Sequence, residues 1–307
     1  RADFSPTKRE KFMKVIIIGK SGQLATALVD ELPPAVTYLA LGRNEVDITS
    51  HQALEAKISA FKPDVIINAA AYTAVDKAES DIASAYAVND TAVGVLATIA
   101  KRNHCRFLHV STDFVFDGES NCAYQVNSEP KPTSVYGASK LAGELAIEKL
   151  YPENSAIVRT SWLYSVSGHN FVHTMLRLMK EKQQLGVVGD QIGCPTYVKG
   201  LAQFLWRLAS YDKLKLVYHW SDAGVASWFD FAVRLLSRAD ALGFSLKCKA
   251  KNVMPIKSSH LAQPAKRPQR VVLDNRKIQH ELGISFAAWD SYIDGFLEQL
   301  RLQNDRI

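Results

Sequence analysis

Tyr136 and Lys140 stand four residues apart in the stretch Ser134-Val135-Tyr136-Gly137-Ala138-Ser139-Lys140-Leu141-Ala142-Gly143-Glu144. On a helix, residues i and i+4 share a face, so the phenol and the ammonium can reach one point. A free phenol has a pKa of about 10 and stays protonated at neutral pH. A neighbouring ammonium favours the phenolate and tunes the couple for proton transfer. Such a pair suits delivery of a proton to a carbonyl oxygen while hydride reaches the carbon. The Gly, Ala and Ser residues around it leave room for something large to approach the backbone. The plainer alternative is a helix surface with a solvated Lys and a half-buried Tyr, and the rest of the chain must decide.

A second candidate is Gly19-Lys20-Ser21-Gly22-Gln23-Leu24-Ala25, directly after the apolar run at 14–18. Gly19 would make a tight turn. Gly22 would let a pyrophosphate approach a helix N-terminus, where free amides and the macrodipole favour anions. Ala25 would serve close helix–strand packing in a dinucleotide fingerprint. No acid closes the next strand; Gly42-Arg43 stands there instead. An acid would take a ribose 2′-hydroxyl, whereas an Arg meets a 2′-phosphate, which leans the expectation to NADPH over NADH. Asp47 and Ile48 would border the adenine.

These groups need elements to hold them. Short apolar runs at 14–18, 36–41, 65–68, 106–111 and 156–160 read as strands. Between them, helical patterns run to Leu32, from the Ser50 cap to Phe61, from Asp81 or Ser84 to Arg102, and from Tyr136 to Leu150. Strict alternation implies an α/β fold with a doubly wound, Rossmann-like parallel sheet. After Trp162 the pattern loosens: helices fit 169–182, 197–210, 227–241 and 287–302, strands fit 185–188 and 215–219, and 243–274 reads mostly as loop. Residues 13–162 are expected to form the dinucleotide-binding domain. Residues 163–307 are expected to form mainly a smaller mixed substrate lobe, with some elements returning to the sheet. Residues 1–12 (RADFSPTKREKF) read as a flexible extension.

The bulk properties narrow the classes. At 307 residues, 47% hydrophobic and 22% charged, the chain has the make-up of a globular protein with ample core. No uninterrupted apolar run approaches a membrane span, and no secretory h-region opens the chain. Cys105, Cys122, Cys194 and Cys248 form no CxxC pair, which suggests reduced thiols in a cytoplasm. No HExxH motif supports a zinc site, and no metal ligands are assigned. The net charge of +6 favours an anionic ligand, but the basic residues are dispersed and no nucleic-acid motif appears.

With these residues in view, the chain resembles the extended short-chain dehydrogenase/reductase family and, within it, the dTDP-4-dehydrorhamnose reductase family. The likeness rests on GKSGQL at 19–24, NAAAYTAVDKAE at 68–79, VSTDFVFDG at 110–118 and VYGASKLAGE at 135–144. RTSWLY at 159–164, GDQIGCPT at 189–196 and YHWSDAGVASWFDFA at 218–232 extend it. Ala25 departs from the third Gly common there, as does Gln269-Arg270 from a small polar residue. The resemblance implies reduction of the C4 ketone of dTDP-4-dehydro-β-L-rhamnose with NADPH or NADH, giving dTDP-L-rhamnose for polysaccharide. It implies Tyr136 as proton donor, Lys140 as its tuner and ribose contact, and Thr112 as hydrogen-bond donor to the same oxygen. It also implies cofactor contact at Gly19, Gly22, Gln23, Leu24, Ala71, Tyr72 and Thr73. Asp113 would face the sugar, Trp162 would offer it an apolar face, and Arg267 would meet the pyrophosphate. Gly193, Pro195 and Thr196 would border the nucleotide. Arg159 and Asp76 are expected to form structural pairs, and Asn68 a local cap. A homodimer and Mg2+ are compatible with the resemblance, and no acidic cluster places the ion. Two alternatives stay open: another nucleotide-sugar reductase or epimerase, and a non-catalytic NADP-binding regulatory subunit similar to that of methionine adenosyltransferase.

Overall fold

A computed structural model describes residues 12–304; apart from Phe12, the expected extension over 1–12 lies outside the described residues. The first half runs through β1 (Met13–Ile18), α1 (Gln23–Asp30), β2 (Val36–Leu41), α2 (His51–Phe61), β3 (Val65–Asn68) and a one-turn α3 (Val75–Ala78). A helical rod follows as α4 (Ile82–Tyr86), a π-helical turn (Ala87–Thr91) and α5 (Ala92–Arg102). Then come β4 (Arg106–Thr112), α6 (Val135–Leu150) and β5 (Ser155–Thr160). The second half opens with β6 (Leu163–Tyr164), α7 (Phe171–Glu181), β7 (Leu185–Val188), β8 (Ile192–Gly193), β9 (Thr196–Tyr197) and α8 (Val198–Ala209). It continues with β10 (Val217–Trp220), β11 (Ala226–Ser227), α9 (Trp228–Ala241), β12 (Val253–Ile256), α10 (Arg276–Leu282) and α11 (Ile293–Asn304).

Six strands form one parallel sheet in the order β2-β1-β3-β4-β5-β10. The period-two alternation of β1 decides its two faces. Val15 and Ile17 pack with Leu24, Leu28, Leu201 and Leu205 of α1 and α8. Ile16 and Ile18 pack with Leu54, Ile58 and Leu96 of α2 and α5. Burial on both faces explains why these strands read as continuous apolar runs. Three elements of the second half, β10, α8 and α10, belong to this sheet and its covering layer. The chain leaves β1 for the edge strand β2 and crosses back to β3, so the order reverses between β1 and β3. Ligands of open α/β sheets bind at the carboxyl ends beside such a reversal.

The second half gathers a separate core around Tyr164, Phe231 and Phe296, roofed by α7, α9 and α11. Here the structure differs from the expected loop over 243–274: β12 pairs in parallel with β7. Its short Val-Met-Pro-Ile run carries little local signal and is set by that tertiary pairing. The rod at Ile82–Arg102 is long and apolar enough to cross a membrane by length and composition. It lies against the sheet, with Val93, Leu96, Ala97, Ile99 and Ala100 fully buried.

The small residues of α6 have a different use from the one expected. A Cβ on Gly143 would fall inside contact with the Asn89 carbonyl of the π-helical turn, and one on Gly137 inside contact with the Phe114 carbonyl. What approaches the helix is this protein's own backbone. Gly143→Ala is therefore expected to destabilise the fold by about 1–3 kcal/mol, as overpacked core sites do, read as a lower urea midpoint with unchanged slope.

Candidate active site

The turn after β1 presses on the chain leaving β3. Gly19 has φ of 101°, and a Cβ there would lie 2.9 Å from Ala70 N. Gly22 is the N-cap of α1 with no side-chain cap, and the first turn carries no acid. Its amide donors are thus left for an anion, and the close glycine turn leaves backbone at the reversal of strand order. This arrangement fits a dinucleotide pyrophosphate. Leu24 is buried in the core, so only its amide can take part. The Gln23 carboxamide oxygen accepts from Ser165 Oγ at 3.0 Å and Asn170 Nδ2 at 2.9 Å, which ties the turn to the second lobe.

Arg43 lies exposed past the end of β2. Beside it stands a pair that sequence reading missed: Glu45 accepts from Gly42 N at 2.9 Å and pairs with Lys20 at 2.5 Å. Lys20 and Arg43 thus place two cations near one strand end. Asp47 is exposed and accepts from Thr49, while Ile48 packs on the sheet core. Ala71, Tyr72 and Thr73 follow β3, and the Tyr72 backbone is held at both ends by Asn89, which accepts from Tyr72 N at 2.8 Å and donates to Tyr72 O at 3.1 Å. Asn89 also donates to Ser139 Oγ at 3.0 Å, joining this loop to α6. A π-helical turn gave no sequence signal, yet it aims Asn89 inward.

Tyr136 and Lys140 share the inner face of α6, whose N-cap Ser134 accepts from Gly137 N. Burial pushes the Tyr136 phenol up to about 12; the Thr112 hydroxyl pulls it down and the Asp113 charge pushes it up further. Burial, not Lys140, thus sets the direction of the Tyr136 shift in this arrangement. Lys140 is only 1% exposed, and its Nζ donates to Val110 O at 2.7 Å and lies 3.0 Å from His109 Nε2. Burial lowers the Lys140 pKa to about 8, against a raising contribution from Glu144. Thr112 ends β4; its hydroxyl accepts from Phe114 N at 3.2 Å and donates to Asp113 Oδ1 at 3.1 Å. Asp113 is buried, and that burial raises its carboxyl to about 7, against lowering by Thr112 and two backbone amides. The end of β4 and the inner face of α6 thus gather a phenol raised to about 12, a hydroxyl, a lysine lowered to about 8 and an acid raised to about 7.

Beneath them lies a buried ion pair. Arg159 donates to Glu144 Oε2 at 2.6 Å, and Ser111 Oγ donates to Glu144 Oε1 at 2.5 Å. Period-two alternation on β4 turns His109 and Ser111 towards α6, so Ser111 serves the helix seat and Thr112 is left to the cleft. The pairing of Asp76 is with Arg267, bidentate at 2.7 and 2.9 Å. The Arg267 guanidinium, expected at a pyrophosphate, is thereby engaged by the Asp76 carboxylate. The segment around it is sewn to both lobes: Pro268 crosses Gly118 where a Cβ would lie 2.6 Å away, and Ile192 N donates to Gln269 O at 2.7 Å.

Trp162 adopts φ of 44°, a left-handed conformation rare for a bulky residue. Its ring stacks on Trp228 at 3.5 Å between centroids and passes 2.5 Å from where a Gly193 Cβ would sit. Gly193 is therefore a seat for the indole. Trp228 extends the slab to Phe171 and was not singled out from sequence. Pro195 and Thr196 lead into β9, with Thr196 buried. His169 and His173 stand four apart, but Asn170 caps α7 between them and His173 Nε2 faces the Ser165 and Val166 carbonyls. Among the described residues no group of three His, Cys, Asp or Glu side chains could hold a metal.

Comparison with known proteins covers nearly the whole chain. A family model described as the RmlD substrate binding domain matches residues 13–302. A dTDP-4-dehydrorhamnose reductase of Aggregatibacter actinomycetemcomitans is 41% identical over 283 residues, 90% of this chain and 95% of that protein. One from Burkholderia thailandensis is 38% identical over 285 residues, with the same shares. The crystal structure of dTDP-4-dehydrorhamnose reductase from Bacillus anthracis in complex with NADP matches with a TM-score of 0.88 at 33% identity, over 94% of this chain and 100% of that one.

The raised Asp113 carboxyl has a consequence for stability. Between about pH 4 and about pH 7 the folded chain holds a proton there that the unfolded chain has released, so stability falls as pH rises through that window. Asp113→Asn removes this contribution. The variant is expected to gain on the order of a few kcal/mol over wild type at about pH 8 and little at about pH 4, in urea melts at both pH values. Asp222, likewise raised to about 7 by burial, keeps part of the slope in the variant.

Proposed function

Because the chain belongs to the dTDP-4-dehydrorhamnose reductase family, we propose that it reduces the C4 ketone of dTDP-4-dehydro-β-L-rhamnose to dTDP-L-rhamnose with NADPH. The reading is carried by similarity spanning residues 13–302 together with an undisturbed Thr112, Tyr136 and Lys140 set in the cleft. The α1 amides with Gly19 and Gly22 would hold the pyrophosphate, Arg43 a 2′-phosphate, and Ala71 to Thr73 the chain beyond it. NADPH, when bound, supplies hydride to the C4 carbon.

The protein's own residues supply the proton and its placement. Tyr136 delivers the proton to the ketone oxygen as negative charge develops there, and its high proton affinity keeps it loaded at neutral pH. Thr112 gives the same oxygen a hydrogen bond, redirecting the hydroxyl that otherwise donates to Asp113. Lys140 holds the nicotinamide ribose and, as an ammonium, favours the phenolate that Tyr136 becomes. Asp113 faces the sugar hydroxyls, and the Trp162–Trp228 slab takes an apolar face of the 6-deoxy ring. Arg267 would exchange part of its Asp76 pairing for the substrate pyrophosphate. Four free cysteines accord with action in the cytoplasm.

The test is NADPH consumption with dTDP-4-keto-6-deoxyglucose and a 3,5-epimerase that forms the L-sugar in place, each component omitted in turn. Consumption that needs both supports the reading. NADPH that binds in calorimetry without turnover would favour another sugar or a regulatory subunit. In the same assay Tyr136→Phe is expected to lose about 100-fold or more in kcat while NADPH binding stays near wild type; a wild-type rate removes Tyr136 from its role. Arg43→Ala is expected to weaken NADPH more than NADH in titration calorimetry, and equal losses would remove the 2′-phosphate contact.

A further inference from the structure

Asn68 and His109 face each other across β3 and β4, directly paired in register, Asn68 at the carboxyl end of β3 and His109 in the middle of β4. Both are fully buried. Their hydrogen bonds form a chain with one possible direction. Ala70 N donates to Asn68 Oδ1 at 3.1 Å. A backbone amide cannot reverse, so the Asn68 oxygen is fixed there and its Nδ2 is left facing His109 Nδ1 at 3.1 Å. The Asn68 amide donates, so His109 Nδ1 must accept. A neutral imidazole that accepts at Nδ1 carries its proton on Nε2, and that Nε2–H points at Lys140 Nζ, 3.0 Å away.

An ammonium has three donors and no acceptor, so a Lys140 ammonium would meet His109 donor to donor. An amine has a lone pair and accepts the Nε2–H while still donating to Val110 O. We propose that the Asn68–His109 pair is a positioning device for Lys140: it presents an N–H to the lysine nitrogen, favours amine over ammonium, and sets the pH at which this lysine changes charge. The proposal rests on the reductase reading for its significance, since only the ammonium favours the phenolate of Tyr136.

The surroundings agree in direction. His109 is pushed well below the usual imidazole range by burial and by the Lys140 charge, so it stays neutral and only its tautomer matters. Lys140 itself is lowered, chiefly by burial. The titratable and charged groups around Lys140 are His109 on β4, Tyr136 one turn back on α6, and Glu144 one turn on. Glu144 favours the ammonium, but its charge is shared with Arg159 from β5 and Ser111. Burial alone does not choose a tautomer; the backbone amide of Ala70 does, through the Asn68 side chain.

The experiment is NMR on the full-length chain carrying 15N-histidine and 13C-lysine, with His109→Gln and Lys140→Arg used to identify the two signals. In wild type, His109 is expected as the neutral Nε2–H tautomer on both sides of the Lys140 titration. A neutral Nδ1–H tautomer, or an imidazolium, overturns the proposal with no variant needed. In Asn68→Asp the carboxylate accepts from Ala70 N and from His109 Nδ1–H, so the ring reverses and Nε2 accepts from an ammonium. The Lys140 midpoint is then expected to rise by about one unit or more, a tenfold gain in proton affinity. Asn68→Ala adds no charge and frees the ring; a smaller rise is expected, and an unchanged midpoint overturns the proposal. Failure of the sugar assay with these signals intact would sink the substrate reading and leave the device standing. Turnover of the sugar with the wrong tautomer would do the reverse.

Discussion

Helix α6 can sit against the π-helical turn and the turn after β4 only because Gly137 and Gly143 carry no side chains. That seat determines where every reactive group of α6 can be. With the helix axis pinned at Gly137 and Gly143, the inner face brings Tyr136, Lys140 and Glu144 over β4 at intervals of four residues. Each meets a different partner along the strand: Thr112 at the cleft, His109 and the Val110 carbonyl in the interior, Ser111 beside them. The Tyr-x-x-x-Lys spacing is one visible part of a longer register.

The seat also explains the charges below it. Glu144 and Arg159 are about 5% exposed and meet through several hydrogen bonds. Burying such a pair gains little net stability, because desolvation offsets the attraction. Leaving either partner alone would cost far more, on the order of 3–5 kcal/mol. The pair therefore acts as a register lock: α6 cannot slide a turn along the sheet without stranding one of two charges. The same low-dielectric ground raises Asp113 and Tyr136 and lowers Lys140. One physical cause, burial, moves an acid, a phenol and an amine in the directions that keep each neutral.

Much of this was legible from the residues. Strand–helix alternation and continuous apolar runs made a doubly wound sheet readable, since both faces of β1 are covered. The Tyr136–Lys140 pair and the glycine turn were readable because i,i+4 geometry and turn sterics are local. What acts across the sheet was not. Asn68 looked like a cap and is one, towards Ala70, but its second bond to His109 depends on the register of β3 against β4. Asn89 was hidden by a π-helical turn, Trp228 by its resemblance to any core aromatic, and β12 by a pairing that its four residues do not announce. The expected effect of Lys140 on Tyr136 assumed two groups in isolation; the interior gives the lysine nitrogen partners of its own.

The second lobe is joined to the first at the glycine turn after β1 as well as behind it. Gln23, at the start of α1, is held by Ser165 and Asn170 from the loop before α7. The Trp162 ring follows directly from β5 and leans on Gly193 of β8 and Trp228 of α9. The segment 265–271 closes the circuit, through Arg267 on Asp76 of the first lobe's α3 and Gln269 on Ile192 in the second lobe. A displacement of one lobe must therefore alter the α1 N-terminus, the indole slab or the Arg267–Asp76 pair. These are the three places where an anionic dinucleotide and an anionic sugar would be held. Under the proposed function Arg267 would be the exchangeable member among them, because its Asp76 partner is itself partly exposed and a pyrophosphate offers the guanidinium the same bidentate geometry.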